Sequence, residues 1–154
     1  MKTTLRQIRK HDPSQENWEK LLRHLNKTKP DDEPLDLLTV LESNGLGHTL
    51  WLVDRLYDQK LRMKLSALFV KEVHHLLSEK SVQDLEEFYR YSETDMTEDE
   101  IIAAAADIPW AWAFTDPGET AESVANIAKR YKADNSEIKA KQVEILRKFL
   151  EEHK

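Results

Sequence analysis

Among 154 residues there are 3 glycines and 5 prolines, and that scarcity constrains the fold more than any other feature. Strands joined into sheets need turn residues at short intervals, whereas helices need breakers only at their ends. Four of the prolines, Pro13, Pro30, Pro34 and Pro117, stand where a helix would start or a loop would run. The fold class this predicts is all-α, a single-domain bundle of short antiparallel helices over residues 1–154. The chain is 40% hydrophobic and 34% charged, which suits one core and lies outside the disordered range.

Apolar spacing locates the helices. Thr4 to Lys10 reads as a short opening helix. Ser14 then caps a second, in which Trp18, Leu21, Leu22 and Leu25 recur at i, i+3, i+4 and i+7. A charged loop runs from Asn26 to Pro34, and Pro34 fits the first position of a third helix that Asn44-Gly45 closes. Leu46 to Tyr57 continues in helix, and Asp58 caps a longer one over Gln59 to Leu77. Ser81 opens another, carrying Val82, Leu85, Phe88 and Tyr89. Thr97-Glu98-Asp99-Glu100 has the pattern of a capping box before Ile101. Pro109 should kink or end the helix that follows, and Asp116-Pro117-Gly118 reads as a turn. Glu119 to Tyr131 and Ser136 to His153 complete the set.

Without cysteine there is no disulfide, thiolate metal site or cysteine nucleophile, a composition typical of the cytoplasm. Met1 to Lys10 is polar and basic and lacks the apolar core of a signal peptide. No apolar run approaches the roughly 20 residues that span a bilayer. The net charge of -6 argues against direct nucleic-acid binding and favours a basic or nucleic-acid-binding protein as partner.

The candidate chemistry is thin. Glu72 and His75 form a Glu-x-x-His pair with His74 and Glu79 nearby. Helical di-metal sites need two such pairs and two further carboxylates, and no second pair occurs. The expectation is therefore no metal, no cofactor and no catalytic residue. Gly45-Leu46-Gly47 lacks the third glycine, the preceding strand and the lysine of a phosphate-cradling loop. It reads as a helix end.

Two acidic stretches remain as contact surfaces. One is Asp31, Asp32 and Glu33 with Asp36; the other is Glu93, Asp95, Glu98, Asp99 and Glu100. Both also suit helix starts, where carboxylates meet the positive end of the dipole. Trp110 and Trp112, in the run Pro109 to Phe114, cannot both face one way on a regular helix. Either the run is buried on several sides, in a core or a homodimer contact, or one tryptophan is a partner anchor.

The string Leu21 to Leu46, which includes His24-Leu25-Asn26-Lys27-Thr28-Lys29-Pro30 and Ser43-Asn44-Gly45, resembles a group of small phage- and prophage-encoded proteins. So does Gly47-His48-Thr49-Leu50-Trp51-Leu52-Val53. Those proteins are identified as immunity proteins of the toxin–immunity type. The similarity runs from about Leu5 to Leu77. Beyond residue 92 the chain diverges, and Ala103 to Phe114 echoes a longer Ala- and Trp-rich stretch. The resemblance implies an α-helical mobile-element protein that works by binding, with no catalytic residues to carry over. An immunity protein against a toxin and an anti-CRISPR inhibitor of a host nuclease complex fit equally. The alternatives are a phage assembly factor that oligomerises through the aromatic run and a metal enzyme built on Glu72, His75 and Glu79.

Overall fold

The computed structural model describes residues 1–91, 93–97, 100–101, 103, 116–130 and 135–153. It is all-α apart from a pair of two-residue strands. The chain forms two compact units, Met1–Leu56 with Leu146–Lys154, and Tyr57–Ile145.

The first unit holds β1 (Lys2–Thr3), α1 (Leu5–Lys10), α2 (Gln15–His24), β2 (Leu35–Asp36), α3 (Leu37–Asn44) and α4 (Leu46–Leu56). Thr4 and Ser14 start α1 and α2 by accepting from Gln7 N and Asn17 N, as the polar residues before each apolar stripe require. Just past the end of α2 stands Asn26, whose φ of 54° is one that asparagine tolerates. Lys27 N then donates back to the Leu22 carbonyl at 2.9 Å, closing the end with the long-range bond of a Schellman motif.

The third helix starts later than its proline suggests. Pro34 is exposed and precedes β2, which pairs antiparallel with β1 (Lys2 opposite Asp36, Thr3 opposite Leu35). Asp36, still extended, caps α3 through Leu38 N at 3.0 Å. Burial of Leu35 and pairing with the N-terminal strand outweigh the helix-starting preference of Pro34. Asn44 Nδ2 donates to the Asn17 carbonyl at 2.7 Å, fixing α3 against α2. Gly45 (φ 85°) lets the chain reverse into α4.

The second unit is assembled on α5 (Gln59–Lys71), which Asp58 caps at Leu61 N, 2.9 Å. Met63, Leu65, Ser66, Phe69 and Val70 are buried on it. Helix α6 (Glu79–Tyr91) and helix α7 (Pro117–Arg130) both pack against α5. Leu85 and Phe88 are the buried pair of α6. Helix α8 (Asn135–Glu152) contributes Gln142, which is 1% exposed and donates to the Ala121 carbonyl at 2.8 Å.

Two further expectations are corrected here. Helix α5 stops at Lys71, and His74–Leu76 form a separate 3-10 turn before α6 starts at Glu79. Val73 leaves helical geometry (φ -118°) while its side chain stays buried, so core burial outweighs continuation of the helix. Pro117 is the first residue of α7 rather than part of a turn. It has no N–H to leave unpaired there, and the Asp116 carboxylate accepts from Gly118 N at 2.7 Å.

Phe69, in the last turn of α5, has no exposed surface. Phe69→Ala should lower the unfolding free energy by about 3–5 kcal/mol, whereas Asp58→Ala, which removes only a cap, should cost about 1 kcal/mol. Urea titration followed by circular dichroism measures both.

Candidate functional site

The acidic loop before α3 is paired from within at three of its four carboxylates. Lys27, held in place by the turn that ends α2, reaches Asp31 and Glu33, each at 2.6 Å. Arg6 Nε on α1 meets both oxygens of Asp32 at 2.9 Å. Asp31 also accepts from Glu33 N through its side chain and from Arg6 N through its backbone. Asp36 is engaged in capping α3. The hydrogen bond from Lys27 holds the Asp31 carboxyl below its ordinary value, and the same contact raises the Lys27 ammonium. Four carboxylates that the sequence offers as a contact surface thus brace a loop against α1, α2 and α3.

The second acidic stretch is different. Glu93 and Asp95 are exposed and pair with no base among the described residues. Lys60 Nζ, from the first turn of α5, donates to the Thr94 carbonyl at 2.6 Å and so fixes the backbone between them. Thr97 and Glu100 form the expected capping box: Glu100 accepts from Thr97 N at 2.7 Å, and Thr97 Oγ1 accepts from Glu100 N at 3.4 Å. The Thr97 N–H holds the Glu100 carboxyl below its usual range. Glu98, Asp99, Trp110 and Trp112 lie outside the described residues.

Helix α6 adds two more exposed acids, Glu86 and Glu87. The signal that finds them is present in the sequence but spread over many residues. Between Ser81 and Ala128 there are twelve acidic residues and a single base, Arg90. The rest of the chain therefore holds more bases than acids. Helix α5 itself carries Lys60, Arg62, Lys64 and Lys71 and no acid.

The Glu-x-x-His pair does not share one regular helix, since Glu72 caps the end of α5 and His75 lies on the turn beyond it. Glu72 faces Lys141 at 3.6 Å, and Lys141 also meets Glu137 at 3.1 Å. His75 lies on the 3-10 turn, and Glu79 is exposed at the start of α6. Among the described residues no three His, Asp or Glu side chains converge as a metal ion would require.

Local pattern reading passed over one further cluster. On α4, the His48 ring stacks on Trp51 (5.2 Å between centroids, 15° between planes), and the Arg55 guanidinium lies 4.5 Å from the Trp51 ring centre. Residues at i, i+3 and i+7 share a helix face, so the spacing alone could have flagged them.

No family model, curated protein or solved structure matches this chain. No helix among the described residues is long and apolar enough to cross a membrane.

Asp31 gives a direct test of the loop brace. A carboxyl held below its unfolded value of 3.8 stabilises the fold above that pH, and the contribution is lost as pH falls through the depressed value. In Lys27→Met, the Asp31 midpoint followed by NMR should move up toward 3.8 and this part of the acid sensitivity should vanish.

Proposed function

We propose that this chain is a non-enzymatic phage or prophage protein that acts in the host cytoplasm as a stoichiometric inhibitor. It covers the basic surface of a nucleic-acid-binding protein. The target is a host nuclease complex of the CRISPR or another defence type, or a toxin for which this chain is the immunity protein. The resemblance over Leu5 to Leu77 supports the mobile-element origin.

The observation that carries the reading is the contrast between the two acidic surfaces. In the loop at residues 31–36, three of the four carboxylates are paired with Lys27 or Arg6. Glu86, Glu87, Glu93 and Asp95 of the second unit are exposed and have no base paired with them among the described residues. Uncompensated carboxylates accelerate encounter with a basic protein and reject acidic ones, and salt weakens both effects.

Two cell assays separate the targets, plasmid interference by an active CRISPR nuclease and growth in the presence of a co-expressed toxin. The chain should protect in one of them. The variant E86Q/E87Q/E93Q/D95N should bind that target about 10- to 100-fold more slowly at low salt, with the gap narrowing as salt rises. Asp32→Asn, which touches only the brace, should bind like wild type. Protection in neither assay, or full-speed binding by the quadruple variant, would overturn the reading.

A further inference from the structure

His48 is the third residue of α4 and is 8% exposed. Its Nε2 is buried with no hydrogen-bond partner. Such a site tolerates a neutral imidazole, whose ring stacks on Trp51 as an aromatic face. It does not suit an imidazolium. Protonation places an N–H on both ring nitrogens whichever tautomer was present, so Nε2 would become a charged donor with no acceptor. Burying an unpaired charge costs far more than burying an unpaired neutral group.

Among the described residues no neighbouring carboxylate relieves that cost. Helix α4 packs against α3, whose one ionisable residue, Glu42, is exposed and turned to Arg147 at 3.5 Å. The other ionisable groups of α4 are Asp54 and Arg55, which pair with each other at 3.3 Å. Burial alone lowers the proton affinity of His48, and no charged neighbour contributes. A cation in the first turn of α4 also opposes the positive end of the helix dipole.

We propose that His48 is a proton-operated latch: neutral, it holds Trp51 and Arg55 in one stack, and on taking up a solvent proton it leaves its buried seat and frees that face of α4. Trp51 is half-buried and Arg55 exposed, and tryptophan and arginine are the residue types that dominate protein contacts. Mild acid thus frees the half-buried Trp51 ring from the stack that neutral pH holds.

The sign follows from linkage. Because protonation is disfavoured in the latched state, that state is fully stable above the ordinary histidine value of 6.5 and weakens as pH falls below it. Hydrogen exchange on the full chain, corrected for intrinsic rates, reads this directly. Between pH 7.5 and 5.5 the opening equilibrium of α4 amides should rise by up to about tenfold per pH unit below 6.5. His48→Phe should remove the rise; His48→Gln, also uncharged, serves should the phenylalanine variant not fold. A flat profile in wild type, or the same rise in either folded variant, overturns the latch. The imidazole proton titration of wild-type His48 is an independent check, and a midpoint at or above 6.5 overturns it as well.

Discussion

The burial of one face of α5 is the constraint on which the second unit depends. Met63, Ser66 and Val70 form one buried row and Leu65 with Phe69 a second, so α5 presents an arc wide enough for α6 and α7 to pack on it together. Ser66 keeps the contact with α7 close, and its hydroxyl lies 3.2 Å from that of Thr120 in the buried seam. A buried polar pair of this kind penalises any shift of one helix along the other, because sliding would leave a hydroxyl unpaired. The same helix carries four bases and no acid. Hydrophobic packing therefore delivers positive charge to the part of the sequence that holds the largest excess of negative charge.

That coupling explains how the second acidic stretch is presented. Lys60 is the first basic residue of α5, and it binds the Thr94 carbonyl rather than a carboxylate. The backbone between Glu93 and Asp95 is fixed while their charges stay in water. Lys27 does the opposite in the first unit, where it engages two carboxylates directly. Both lysines sit at helix ends; what differs is the atom each one reaches.

The helical class was legible in the sequence because helix stripes and caps are local signals. Ser14, Asp58 and the Thr97–Glu100 box cap where their spacing predicts, and Leu21, Phe69 and Phe88 are buried as their periodicity predicts. Two of the errors share a cause. Pro34 and the Val73 break were read from local preference, yet the first is decided by a distant partner and the second by core burial. Pro117 was a local signal read one way when its neighbour Asp116 made it a helix start. Leu35 and Asp36 are drawn into a strand by residues more than thirty positions away, and a two-residue strand leaves no periodicity to detect.

The candidate surfaces show the same division between local and distant. Asp31, Asp32 and Glu33 are conspicuous as a run, but conspicuous runs are where a fold can most easily supply a counter-charge, and Arg6 lies far back in the chain. Glu93 and Asp95 in the loop after α6 also stand out as a stretch, but the acids on α6 itself, Glu86 and Glu87, catch no motif. Their excess emerges only when charge is counted over a long window, because an electrostatic potential sums over separations that a sequence pattern does not span. Whether an acidic residue is available to a partner depends less on how many acids stand beside it than on whether the fold has already paired it.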